Sequence, residues 1–397
     1  MPMSKGRKKK SKRRDKRPSA AQAYSAVIRE FEGVAADDPL LAEMLASDHL
    51  SAGAQVDEEM RPDDTAFLKV VDFAGRRTSR GALTMLRALQ TIGMTPDVRQ
   101  AAMEAAEKVA AAGVPEPAWL DRIDRVEGGR CWTISDAYGD TVTVIAEFAR
   151  DGQRHAIHAL VDTTLLNGAL EGIGIVDYVD ELATEFQHEV DADPLSAMAE
   201  VPLASGLEIV RSAMPMAMIE QDEEEEDDER PAAAYAPLLY ARCRAIGMAD
   251  ARPVEPEPLN EVTIGDIVDT FMESEPELTD PAAARLIVQL LAEYGWMSDA
   301  QRPTRPSPAK FAAYLLDHLP RVYALPERYR AAVPEAMRAW TAWTAAKLPA
   351  AALDALAEDL DELLDEFAAD YPKAAGDAAI IVTDDGQFIA APGLELS

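Results

Sequence analysis

The stretch "GQRHAIHALVD" (residues 152–162) holds His155 and His158, two of the five histidines in the chain, with Asp162 close behind. On a helix, imidazoles three residues apart share a face, where they can grip one metal ion or exchange a proton. On a strand, residues three apart point to opposite faces, and no pair exists. The neighbouring residues decide between the two. "RCWTISDAYGDTVTVIAEFARDGQRHAIHALVD" is rich in β-branched and aromatic residues, with turn signals at "YGD" and "DG". It reads as three antiparallel strands, near 131–136, 141–149 and 154–161.

A two-residue turn at Asp151-Gly152 sets the register. It pairs Phe148 with His155, Ala146 with Ile157, Val144 with Ala159 and Val142 with Val161, an almost wholly apolar face. The opposite face pairs Glu147 with Ala156, Ile145 with His158, Thr143 with Leu160 and Thr141 with Asp162. The two histidines are therefore no ligand pair. His155 is expected to stack near Phe148, and His158 to sit on the mixed face with Glu147 at a diagonal position within reach. The expected role of His158 is structural, tuned by the nearby carboxylate. The competing role makes His158, Glu147 and Asp162 a polar patch with acid–base or metal capacity.

Other candidate chemistry is thinner. "NGALEGIGI" carries Gly168, Gly172 and Gly174 but no GxGxxG and no GK[ST], so it is expected to be a flexible connection and not a phosphate loop. "FAGRRTSRGALTMLRAL" sets Arg76, Arg77 and Arg80 around Thr78 and Ser79, and "RPTRPSPAK" holds Arg302, Arg305 and Lys310. Both read as solvated basic turns on an acidic body. Trp340 and Trp343 share a helical face and are expected in the core. No Ser elbow, Cys/His pairing or HExxH occurs, and Cys131 and Cys243 form no CxxC, so no cofactor and no metal are expected.

The elements that must position these residues follow from composition. Hydrophobic residues make up 48%, enough for real cores. The net charge is −32, unevenly spread: residues 1–18 hold ten Lys/Arg and one Asp and carry +9, leaving −41 on residues 19–397. Eight consecutive acids occupy 222–229, a run that reads as a solvated linker. Helix starts are marked by Asp38-Pro39, Thr95-Pro96, Asp280-Pro281 and Ser307-Pro308, each a capping residue before a first-turn proline. Leu353, Leu356, Leu360, Leu363, Leu364 and Phe367 form one amphipathic stripe.

The expected fold is α+β: mainly α-helical, with a small three-stranded antiparallel sheet in the middle and a short C-terminal hairpin turning at Asp385-Gly386. The expected division is a disordered basic tail at 1–18, a helical region with the sheet at 19–220, an acidic linker at 221–235 and a helical domain at 236–397. There is no run of 18 apolar residues and no apolar stretch after the basic start, so no membrane association and a cytoplasmic location are expected.

"AAGVPEPAW", "GRCW", "SDAYGD" and "HAIHALVD" resemble a family of high-GC bacterial proteins with a basic N-terminal tail, a YGD hairpin and a helical C-terminal half. The resemblance implies this architecture and carries no assigned activity. Family members tend to have a histidine and a Gly-Gly pair after the third strand, where this chain reads "TTLLNGALEGIG" with Thr163 and Thr164. That departure removes support for a shared metal or acid–base site.

The favoured expectation is a non-enzymatic adaptor or regulatory protein with a protein partner whose identity the sequence does not give. The alternatives are a hydrolase-like enzyme using the patch around His158, and nucleic-acid association through Lys8, Lys9, Lys10, Lys12, Arg13 and Arg14. Residues 5–17 hold no aromatic for base stacking, so any such binding should be weak, sequence-independent and steeply salt-dependent. Labelled RNA and DNA titrated against the full chain and a chain starting at Ser19, at low and physiological salt, test this. Tight binding that survives the truncation, or that favours one sequence, refutes it.

Overall fold

The computed structural model describes residues 20–34, 38–51, 65–219, 230–249 and 254–391. The basic tail and the acidic run at 222–229 lie outside the described residues. By its internal contacts the chain divides into two compact units, one ending at Ile123 and the other starting at Asp124.

The first unit is helical: α1 (Ala20–Phe31), α2 (Pro39–Ser51), α3 (Thr65–Ala74), α4 (Arg80–Ile92) and α5 (Pro96–Ala111). Helix α4 is its centre and packs against α1, α2, α3 and α5. Ser79 caps α4 by accepting from the Ala82 N–H, and Thr95 caps α5 by accepting from the Val98 N–H. The arginine turn before α4 is solvated, as expected: Arg76 pairs with Asp72 at the surface, and Arg77 lies over the Phe73 ring.

The second unit begins with β1 (Glu127–Asp136), β2 (Thr141–Arg150), β3 (Gln153–Asp162), β4 (Ala169–Val176), α6 (Val179–Ala192), β5 (Ser196–Glu200) and α7 (Leu203–Ile219). The expected β2–β3 register is observed pair for pair, from Thr141↔Asp162 to Phe148↔His155. Asp151 and Gly152 make the turn with φ of 50° and 80°, the left-handed pair that a two-residue hairpin needs.

The expected small three-stranded sheet is corrected to five antiparallel strands in the order β4-β3-β2-β1-β5. The first extra strand is the glycine-rich stretch expected as a flexible connection. Glycine has low strand propensity, but here His158 pairs across from Gly174, and a Cβ on Gly174 would lie 2.4 Å from the His158 Nε2. The imidazole occupies the space of the missing side chain. The other extra strand, "SAMAE", is too short and too poor in β-branched residues to declare itself.

Helix α7 covers the apolar face of the sheet with Leu207, Val210, Ala213 and Met214. Helix α6 covers part of the mixed face, where Val179 and Leu182 join Trp132, Ile145, Ala156 and Val176.

After α8 (Ala236–Ala245), α9 (Glu261–Glu273) and α10 (Pro281–Ser298) come α11 (Pro308–Ala312), a π-helical turn (Ala313–His318) and α12 (Leu319–Val322). Then follow β6 (Tyr323–Ala324), α13 (Glu327–Thr344), α14 (Ala350–Ala374), β7 (Ile380–Val382) and β8 (Phe388–Ala390). Trp340 is fully buried and meets Phe271 edge-on, with Trp343 beside it. Leu356, Leu360, Leu364 and Phe367 of α14 enter the same core. The expected C-terminal hairpin exists as β7–β8, but it is part of a second three-stranded sheet in which β6 pairs parallel to β7. A two-residue strand after a helix leaves no alternation to read. Among the described residues, no helix is long and apolar enough to cross a membrane.

The Gly174 contact can be checked against an internal control. Gly174→Ala should lower the unfolding free energy by about 1–3 kcal/mol, since the ring must be displaced. Gly172→Ala, on the same strand with nothing within 4 Å of its Cβ, should be neutral or raise stability by about 0.5 kcal/mol. Equal urea midpoints for the two variants would mean that the ring does not rest on Gly174.

Candidate functional site

The mixed face of the sheet does not gather the three residues expected there. Glu147 is buried and engaged by two arginines. It accepts from the Arg154 Nε and, at 3.4 Å, from the Arg130 backbone N–H, with the Arg130 Nε at 3.5 Å. Burial pushes its carboxyl up, but the Arg154 hydrogen bond and the two guanidinium charges outweigh that and hold it below the usual range. Asp180 at the start of α6 receives the other ends of both arginines, with Arg130 at 2.8 Å and Arg154 at 2.5 Å. Arg130 also lies 4.6 Å over the Trp132 ring.

Asp162 accepts from the Thr164 N–H at 2.7 Å, a turn-forming bond at the strand end. His158 lies on Gly174, and burial lowers its pKa. His158, Glu147 and Asp162 thus have separate partners, and Glu147 is matched to arginines instead of the imidazole. The register that sets His158 diagonal to Glu147 also pairs Arg154 with Ala149, and so sets Arg154 diagonal to Glu147 on the same face from the other side. The sequence therefore already offered Arg154 as a partner for Glu147; Arg130 and Asp180, which complete the set, are not readable from this hairpin alone.

His155 stacks on Phe148 at 5.7 Å, as the register implies. Its Nε2 accepts from the Nε of Arg242 on α8 at 3.0 Å, and both side chains are buried. Burial, with the charges of Arg242 and Arg150, pushes the His155 pKa down to about 3. The ring is neutral, protonated on Nδ1, and serves as an acceptor for a buried cation. Residues 87 apart in sequence make this bond, so nothing local announces it.

The largest departure from expectation is the "RPTRPSPAK" loop. It is not solvated: Arg305, Ser307 and Lys310 are buried, and so is Asp299 at the end of α10. Arg305 brackets the Asp299 carboxylate, Nε to Oδ1 and Oδ2 both at 3.0 Å, and reaches Asp140 with its other end. Ser307 caps α11 by accepting from the Lys310 N–H, and its hydroxyl donates to Asp140 at 2.7 Å. Arg302 donates to the backbone carbonyls of Gly139 at 3.2 Å and Thr163 at 2.5 Å. The Lys310 ammonium donates to the carbonyls of Arg302 and Pro303, both at 2.9 Å, and lies 3.3 Å from Asp299.

Gly295 makes room for this, since a Cβ there would lie 2.5 Å from the Lys310 Nζ and 2.8 Å from the Pro303 Cα. The β1–β2 turn is preshaped to receive the loop, because Asp136 accepts from the N–H groups of Tyr138, Asp140 and Thr141. The cluster ties the sheet to the helices that follow it. Its centre, Asp299, Arg305 and Lys310, is buried, while Arg302 and Asp140 at its edge keep some exposure, and the groups are bonded to one another and to backbone carbonyls, so its chemistry is read as structural.

Among the described residues, no group of three or more His, Cys, Asp or Glu is placed to hold a metal ion. No family model matches the chain, and no curated protein or solved structure matches it either.

Two carboxylates, Asp140 and Asp299, face three cations, Arg302, Arg305 and Lys310. One of the three can give up its proton and leave the cluster balanced. Burial pushes Lys310 down to about 8, against the pull of Asp299. The folded state therefore binds this proton less tightly than the unfolded chain, where a lysine titrates near ~10.4. Between those values the unfolded state holds more protons, so this group's contribution makes stability rise with pH. From pH 8 to 10, wild type should gain about 2 kcal/mol relative to Lys310→Met. Urea midpoints of both proteins across that range measure it, and parallel pH profiles would show that Lys310 titrates normally.

Proposed function

We propose that this is a non-enzymatic adaptor or regulatory protein, acting in the cytoplasm through its surfaces on a protein partner. One observation carries the reading. The residues best suited to acid–base chemistry are committed to structure: Glu147 to two arginines, Asp162 to a turn, His155 to Arg242 and His158 to the space over Gly174. A general base needs reach to a substrate proton and a pKa near the working pH. His158 has lost its expected carboxylate, and burial lowers its pKa.

Two measurements separate this from a hydrolase working around His158. Native-lysate pull-down with the full chain, and with a chain starting at Ser19, should retain a protein in fixed stoichiometry. An ester and phosphate substrate panel should show no turnover that distinguishes wild type from His158→Ala. Turnover abolished by His158→Ala in a folded variant, or stoichiometric transition metal lost on changing His158 or Glu147, would refute the adaptor reading.

A further inference from the structure

A groove of about 590 Å³ opens between the C-terminal end of α9 and α13. Phe271, Pro276, Ala339, Ala342 and Trp343 supply its apolar wall. Packing fixes the aromatic part of that wall. Phe271 is fully buried, and the Trp343 ring lies 5.7 Å from it and 5.1 Å from the buried Trp340 ring. Ala339 and Ala342, three residues apart on α13, have no side chain long enough to fill the space.

The opposite rim is the segment 274–280, and it is tied down. The Ser274 hydroxyl donates to the Phe271 carbonyl at 2.6 Å. Glu335 on α13 accepts from the Thr279 N–H at 2.8 Å and from its hydroxyl at 3.0 Å. Arg328 donates to Asp280 at 2.8 Å. The groove is therefore shaped in advance.

Its charge is one-sided. Glu277, Glu335 and Arg338 are the charged residues that line it. Arg338 is engaged on α14, where its Nε donates to Asp361 at 2.9 Å and a terminal nitrogen lies 2.8 Å from the same carboxylate. Glu277 makes no ion pair among the described residues, and Glu335 is met only by the neutral Thr279. Glu273 and Glu275 stand exposed on the same segment.

We propose that this groove binds a small organic cation, an ammonium group carried on an aromatic or bulky aliphatic body. The carboxylates favour a positive group and repel an anion. Tryptophan is the aromatic side chain that best attracts a cation, and the apolar wall takes the body of the ligand. The volume lies within the roughly 300–1,000 Å³ of small-molecule sites. Residues 5–17 of the chain carry the same charge, with Met1 and Met3 ahead of them, so the test must separate a free ligand from the chain's own start. The inference goes beyond the adaptor reading and needs neither a protein partner nor a catalytic group.

The probes are 2-phenylethylamine, 2-phenylethanol and phenylacetate, which set a positive, a neutral and a negative group on similar bodies. Each is titrated by calorimetry at neutral pH into the full chain and into a chain starting at Ser19. The amine should bind saturably at one site, about tenfold tighter than the alcohol, and equally on both chains, while phenylacetate should not bind. Glu277→Gln, at an exposed position, should weaken the amine about fivefold and leave the alcohol unchanged. Ala342→Leu, also exposed, should fill the groove and abolish binding of both, with circular dichroism and Tm intact. The proposal is overturned if the amine shows no saturable binding below about 10 mM. It is equally overturned if the alcohol or phenylacetate binds as tightly as the amine, or if Ala342→Leu leaves the affinity unmoved. Binding confined to the chain starting at Ser19 would make the chain's own start the occupant and overturn the free ligand.

Discussion

Asp299 is a carboxylate taken out of water, and the architecture of the second unit depends on how it is compensated. An isolated buried carboxylate is far too costly to keep charged. Here Arg302, Arg305 and Lys310 fold onto it from one loop, and Arg305 passes the arrangement on to Asp140 in the β1–β2 turn. Removing one member of such a set strands the others, typically at about 3–5 kcal/mol. Swapping the whole set for apolar residues is often harmless, so the cluster is better understood as fixing geometry than as adding net stability. It fixes the sheet to α10 and α11 at one angle, and Arg302 extends the same join to Thr163 beyond β3.

What could be read in the sequence was what is local. The β2–β3 register follows from one turn and the alternation of apolar residues, and it predicts His155 on Phe148 without any tertiary information. Capped prolines mark the starts of α2, α5, α10 and α11 for the same reason: the cap and its helix are neighbours in the chain. The errors are non-local. Gly174 looked like flexibility because its use is to admit a ring from the adjacent strand. "RPTRPSPAK" looked solvated because its compensating carboxylates include one 165 residues away. Composition gives charge, but burial depends on whether the opposite charge arrives through the fold.

The same distinction governs the candidate site. His158 and Glu147 were placed correctly on one face, and the polar patch still did not form. Glu147 had stronger suitors in Arg130 and Arg154, which bring full, permanent charge and donors that suit a carboxylate. A neutral, partly buried imidazole cannot compete for that carboxylate. It settles where its ring packs, over a glycine.

Charge and apolar surface in the second unit are therefore distributed unusually. Arg242, Arg305, Lys310, Asp299 and Glu147 are inside, while Val254, Met297, Leu165 and Ile389 are outside. Glu147 and Asp299 meet arginines close at hand, and Arg305 and Lys310 meet Asp299. The external acids remain and give the body its strong negative potential. Like charge holds other acidic proteins off such a body, whereas exposed apolar side chains favour association. On the adaptor reading proposed above, a partner that matches both the charge and the apolar surface gains on both counts, and selectivity follows from that match.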